Sequence, residues 1–239
     1  MASTVTVIGA TGLVGGHLVR RLARRDGVEV VNVYARSPRP QSLPAEVRWH
    51  RFPELDYFAD VYERPGMLEE MAGVVADGLV AGDVLLSCLG TTRRQAGSAS
   101  RFRLVDFGVN AAFARAALRR GYRHYGLVSS AGADARSLLL YPRVKGQLEG
   151  YVRGLGFESV RVYRPGVLLG ERRERRFGES LAAGATDAIA KVFPGVSAAS
   201  FAPVAAAAVA QAMVGGVGDR RRGTYVLGNA DIQNIAIYE

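Results

Sequence analysis

Short apolar runs alternate with segments of helical period along almost the whole chain. "TVTVIGA" is a continuous apolar run rich in β-branched residues, the pattern of a strand buried on both faces. In "TGLVGGHLVRRLARRDG", Leu13, Leu18, Val19 and Leu22 recur at helical spacing, and Gly27 supplies a stop. "VEVVNVYAR" is a second buried strand, so the first forty residues read β-α-β with the two strands parallel. The alternation continues through a weak strand in "VRWHRF", a strong one in "DVLLSCLG", and a helix over "SRFRLVDFGVNAAFARAALRRG" closed by Gly121. A strand in "HYGLVSSAG", a helix from Tyr141 to about Leu155 and a strand in "SVRVYRPG" follow. An Ala-rich helix opening at Pro203 and a last strand in "GTYVLGN" complete the pattern. This order predicts an α/β fold: a doubly wound parallel sheet with helices on both faces, in one domain over residues 1–239. Residues 37–60 and 170–202 interrupt the alternation. The second stretch lies beyond a strand's carboxyl end and is expected to form a small, variable C-terminal cover on the substrate side.

Composition adds limits. With 239 residues and 49% hydrophobic content, the chain can bury a core without staples. The single Cys88 excludes an intrachain disulfide and is expected to pack in its apolar strand. His17, His50 and His124 are too scattered for a metal site. No apolar stretch is long enough to span a bilayer, and no leader is read at the N-terminus, which makes the cytoplasm the default location. The net charge of +9 comes from arginines scattered along the chain, so nucleic-acid binding is disfavoured, while an anionic ligand suits the sign.

"VIGATGLVGG" leaves a strand and opens a helix with glycines at 9, 12 and 15. In that context Gly9 permits a tight turn, Gly12 lets a pyrophosphate approach the backbone, and Gly15 allows close helix–strand packing. The helix N-terminus offers unbonded N–H groups to the phosphates, and Thr11 can add a hydroxyl. A dinucleotide is therefore expected. At the end of the second strand, "VNVYARSPRP" has no carboxylate to hold a ribose 2′-hydroxyl and has Arg36 followed by Ser37. A guanidinium suits a 2′-phosphate, which favours NADP(H) over NAD(H), with Arg39 as a second contact.

Of the 31 basic residues only Lys145 and Lys191 are lysines. Lys145 follows Tyr141 by four positions, which puts both on one helix face. An ammonium there favours negative charge on a phenol oxygen, so Tyr141 can act as acid or base and Lys145 can also bond the ribose hydroxyls. The preceding strand ends in Ser129 and Ser130. Strand alternation lets only one face the site, and Ser130 is chosen to orient a substrate carbonyl, with Ser129 close behind.

The glycine loop, the Ser–Ser pair and Y-x-x-x-K together resemble the short-chain dehydrogenase/reductases, which have the NAD(P)-binding Rossmann fold. "SCLGTTRRQAG", "VSSAGAD", "YPRVKGQLE" and "RPGVLLGERRERRFGE" resemble its atypical subgroup, typified by the human Tat-interacting oxidoreductase, over nearly the whole chain. The resemblance implies that Thr11, Gly12, Leu13 and Val14 form the pyrophosphate loop and that Arg36 meets the NADP phosphate. It implies that Leu89 and Gly90 run beneath the cofactor, that Tyr141 and Lys145 are the catalytic pair, that Leu168 contacts the nicotinamide side, and that Arg176 sits in a covering loop. Many members of the wider superfamily hold a proton-relay water with a helix Asn. Asp106 stands in that place and reads as a surface carboxylate or an Asp paired to an Arg.

The function expected is NADP(H)-dependent hydride transfer to or from a small carbonyl or alcohol, without a metal. The alternative is an NADP(H)-sensing regulatory or assembly protein with little turnover. A protein partner or a homo-oligomer is left open, as is the substrate.

Overall fold

The structure, a computed structural model, describes residues 3–41, 43–52, 58, 64, 66–169, 196–219 and 221–238. Its strands are β1 (Ser3–Ile8), β2 (Val28–Ala35), β3 (Arg48–Arg51), β4 (Val84–Ser87), β5 (His124–Val128), β6 (Ser159–Tyr163), β7 (Leu168–Leu169), β8 (Val204–Ala205) and β9 (Gly223–Leu227). Seven of them form one sheet in the order β3-β2-β1-β4-β5-β6-β9, and β7 pairs with β8 in a small ribbon. Every neighbouring pair in the large sheet is parallel. This is the expected Rossmann-type doubly wound sheet. Its switch point lies between β1 and β4, where the chain leaves neighbouring strands in opposite directions and a crevice opens.

The apolar runs are continuous because helices cover both faces of the sheet. On one face Val5, Val7, Val84 and Leu86 pack with Leu18 and Leu22 of α1 (Leu13–Leu22) and with Val209 and Met213 of a later Ala-rich helix, Ala206–Val217. On the other, Ile8, Leu85 and Leu127 pack with Met71 and Val75 of α2 (Met67–Gly78). The alternation of Val7 with Ile8, and of Leu85 with Leu86, between the two cores is the period-2 signature of strands covered on both sides.

The helix over "SRFRLVDFGVNAAFARAALRRG" forms, but not as a uniform α-helix. After a short turn, α3 (Arg93–Ala96), come α4 (Ala99–Arg103), a π-helical turn (Leu104–Val109) and α5 (Asn110–Arg119). The expected helix beginning at Tyr141 is α6, Leu140–Gly154. The Ala-rich helix, α7, starts at Ala206 and not at Pro203, because Val204 and Ala205 pair with β7. Three helices have no counterpart in the sequence reading: α2, the short α3, and α8 (Asn229–Tyr238). Most of the 170–202 segment, Arg176 included, lies outside the described residues. Among the described residues no helix is long and apolar enough to cross a membrane, and no cluster of His, Cys, Asp or Glu could hold a metal.

Cys88 directly follows β4, with its Sγ 3.7 Å from Met213 Sδ, and burial pushes its thiol up to about 12. Only the thiolate is nucleophilic, so at pH values well below that value the group stays protonated. Native protein is expected to resist iodoacetamide at pH 8 and to be labelled at Cys88 once unfolded in urea, as read by mass spectrometry; rapid native labelling would contradict the burial. A second expectation concerns α6. A methyl on Gly146 would lie 2.2 Å from Ala135 N and 2.4 Å from Asp134 C, a backbone contact that cannot yield cheaply. Gly146→Ala should therefore destabilise the fold by about 1–3 kcal/mol in urea unfolding. Gly150→Ala, on the same helix with open space around it, should not.

Candidate active site

The glycine loop is built by close approach. Gly9 has φ +79°, and a methyl there would meet the Cys88 and Leu89 backbone at 2.5 Å. A methyl on Gly15 would fall 2.2 Å from Gly9 O, so α1 can rest on the loop only through a glycine. Gly12 donates its N–H to Gly9 O at 3.0 Å, and its own added methyl would meet that same oxygen at 3.2 Å. Gly12 is also the N-cap of α1 and brings no side chain to satisfy the first-turn donors. Leu13 is exposed and Val14 is buried in the core, and neither side chain carries a polar group, so the first turn of α1 offers an anion only backbone N–H groups here.

A cleft of about 370 Å³ opens beside this loop. Gly9, Thr11, Arg36, Ser37, Leu89 and Gly90 line it, so six of the residues singled out in sequence meet in one place. Arg36 and Ser37 are exposed at the end of β2, and Arg36 has no ion-pair or hydrogen-bond partner among the described residues. Arg39 does not join them. Its guanidinium donates to the Leu43 and Pro44 carbonyls and holds its own loop. Gln95 and Arg101 also line the cleft. Neither was singled out in the sequence: Gln95 stands in the quoted segment "SCLGTTRRQAG" without an assigned role, and Arg101 belongs to no motif.

Tyr141 and Lys145 occupy successive turns of α6. Tyr141 is 42% exposed, with its ring 5.9 Å from that of Phe102 between centroids, whereas Lys145 is 5% exposed. Neither lines the cleft. Gly90 connects the two regions: it lines the cleft, and a methyl on it would lie 3.2 Å from Lys145 Nζ and equally 3.2 Å from Asp106 Oδ1. Asp106 is fully buried and ion-pairs with Lys145 at 2.8 Å. This corrects the expectation of a surface or Arg-paired carboxylate: Asp106, in the π turn, faces inward, and among the described residues its ion-pair partner is a lysine. Burial pushes Lys145 down, but the Asp106 charge, helped by Tyr141 and Glu149, outweighs it and holds the ammonium above its ordinary value.

Ser129 is buried, and its hydroxyl donates to Glu149 Oε1 at 2.6 Å. Glu149, also buried, takes a fork from Arg164 at 2.9 and 2.6 Å and a third bond from Arg153 at 3.0 Å. Ser129 is thus committed to the interior, while Ser130 is only half-buried. Leu168 is half-buried in the β7–β8 ribbon, packed toward the α1–α7 core and away from the cleft lining. Asn110 ties the region together: Ser87 donates to its Oδ1, and its Nδ2 donates to Leu89 O at 3.3 Å.

Comparison with known proteins places this geometry. Residues 5–133 match the NAD dependent epimerase/dehydratase family. Protein FMP52, mitochondrial, of Candida albicans is 38% identical over 182 residues, covering 74% of this chain and 72% of the relative. Protein fmp52, mitochondrial, of Aspergillus niger is 30% identical over 195 residues, 81% of this chain and 79% of the relative. These names overturn the cytoplasmic expectation, which rested on the lack of a recognised leader and of a membrane-spanning stretch. Among solved structures, the Bordetella bronchiseptica enzyme WbmH in complex with NAD+ superposes with a TM-score of 0.63 at 13% identity, over 98% of this chain and 79% of that one. The chain belongs to the NAD dependent epimerase/dehydratase family, as an atypical short-chain dehydrogenase/reductase with an NAD(P)-binding Rossmann fold.

Proposed function

We propose that the protein is an NADP(H)-dependent oxidoreductase that moves hydride to or from a small carbonyl or alcohol, with Tyr141 as the acid/base. The observation that carries this reading is the Tyr141–Lys145 pair: a half-exposed phenol one helical turn from a buried ammonium whose seat adjoins Gly90 of the cleft. The residues fit a dinucleotide. Gly9 and Gly15 let the end of β4 and α1 close onto the loop, and the uncapped first turn of α1 presents donors for a pyrophosphate. Arg36, uncommitted at the end of β2 with no carboxylate beside it, supports a 2′-phosphate and hence NADP(H).

The nicotinamide, when bound, supplies or accepts the hydride. The chain's own work is proton transfer and orientation. Tyr141 Oη gives a proton to the carbonyl oxygen in reduction and takes it back in oxidation. Lys145 favours negative charge on that phenol oxygen and holds the cofactor ribose. Ser130 donates to the substrate oxygen and orients it, a role open to it because Ser129 is held by Glu149. The intact Tyr–Lys pair supports turnover over cofactor sensing alone.

Two outcomes follow. Titration followed by nicotinamide fluorescence should show tighter binding of NADPH than of NADH, and Arg36→Asp should reduce or reverse the preference; equal affinities in the wild type would remove the cofactor assignment. Tyr141→Phe should leave NADPH affinity nearly intact and slow reduction of any accepted carbonyl by at least about a hundredfold. Wild-type rates in that variant would falsify the acid/base role.

A further inference from the structure

We propose that Asp106 is the positioning residue for Lys145: its carboxylate seats the ammonium beneath Gly90 and supplies the counter-charge that a lysine in this place requires. The proposal rests on the reading of Lys145 as a residue of the cofactor side.

Neither partner can take help from water. Lys145 is 6% exposed at its side chain and Asp106 is 0% exposed. A charge taken so far from solvent is tolerated only when paired. Other charges near Lys145 are already spent. Glu149, on its own helix, is engaged by Arg164, Arg153 and Ser129, and Tyr141 is a phenol. Asp106, from the π turn packed against α6, is the one carboxylate ion-paired to it among the described residues, at 2.8 Å.

The carboxylate is itself fixed. Its second oxygen accepts the Thr91 N–H at 2.8 Å, so one group joins Lys145 to the segment that borders the cleft. The backbone beneath it is a π-helical turn, a form that mostly occurs as isolated turns, often at functional sites. Asn110 holds that turn, with Nδ2 donating to Val105 O at 2.9 Å and reaching Leu89 O at 3.3 Å. Asp106 therefore sits on a locked piece of backbone and can set the height of the ammonium under Gly90. Without its charge, burial is the dominant influence on Lys145 and drives it toward the neutral amine, which neither stabilises a developing phenolate nor presents a full positive charge to a ribose.

Only two lysines are present, so Lys145 can be observed directly. Protein carrying [13Cε]lysine is titrated by NMR from about pH 6 to pH 11, a range that brackets the ordinary lysine value, with Lys145→Met assigning the signal. The wild-type midpoint is expected above the ordinary value, and Asp106→Asn should lower it by about two pH units or more. Asp106→Glu, which keeps the charge, should restore most of the shift. In parallel, Asp106→Asn should bind NADPH about tenfold more weakly at pH 9 than at pH 6, a drop that follows the lysine's proton, while the wild type shows no such drop. A residue needed only for folding would lower the melting temperature without moving the lysine midpoint. An unchanged midpoint in folded Asp106→Asn overturns the proposal, as does a wild-type midpoint below the ordinary lysine value, which can be read even if the variant does not fold. If the wild type binds neither NADPH nor NADH while Asp106→Asn still lowers the midpoint, the cofactor reading is lost and the Asp106–Lys145 assignment stands.

Discussion

Backbone meets backbone without side chains between where β1 and β4 end, and the site depends on that contact. Cys88 N–H bonds Ile8 O at 2.9 Å, and the next residue of the β1 strand, Gly9, lies so close to the Cys88–Leu89 peptide that no Cβ fits. Gly15 repeats the condition on the other side by resting α1 on the Gly9 carbonyl. Together they bring the N-terminus of α1 and the segment Leu89–Thr91 to the two sides of one crevice, at the point where the chain departs in opposite directions. Any side chain at these glycines would widen the crevice from below.

Beside the crevice, α6 is held by charge in place of close approach. α6 carries two buried ionic groups one turn apart, Lys145 and Glu149, and each is tied to a different element. Lys145 reaches the π turn through Asp106, while Glu149 reaches the ends of β5 and β6 through Ser129 and Arg164. Buried ion pairs add little net stability, because desolvation consumes most of the Coulombic gain, but removing one partner costs about 3–5 kcal/mol. Such pairs define geometry well. With α6 pinned at both residues, and packed through Gly146 onto the 134–135 backbone, Tyr141 has a fixed base from which to present its hydroxyl.

The sheet and the glycine loop were legible in the sequence because each rests on a local rule. Strands covered on both faces must be continuously apolar, and a turn with Gly9 at φ +79° must be glycine. α2 went unread although its buried residues, Met67, Met71 and Val75, stand at helical spacing, a signal that the Pro-rich stretch before it overshadowed. The π turn leaves no trace in side-chain periodicity, so residues 100–121 read as one ordinary helix. Asp106 was misplaced for the same reason. A carboxylate on a helix is ordinarily solvated, but this one lies buried in the π turn and pairs with a lysine 39 positions further on. Strand alternation allowed only one of Ser129 and Ser130 to face the site without saying which; what commits Ser129 inward is Glu149, a contact 20 positions away.

The same geometry explains why a chain that writes nearly all its positive charge as arginine uses lysine at 145. The cation must fit between Asp106 Oδ1 and the Gly90 backbone, where even an added methyl would stand 3.2 Å from both the ammonium and the carboxylate. An ammonium is compact and offers three rotatable donors, enough to meet a carboxylate on one side while leaving others free for a neighbour. A guanidinium is a wide planar fork that would need the room Gly90 and Thr91 occupy, and its preferred two-point bond to Asp106 would compete with Thr91 N–H for the second oxygen. Glu149 shows the contrast. Its carboxylate receives the Arg164 fork from the ends of β5 and β6, where there is width for a planar group. Composition selects arginine wherever the surroundings are indifferent, so the exception at 145 marks a place where the space is not.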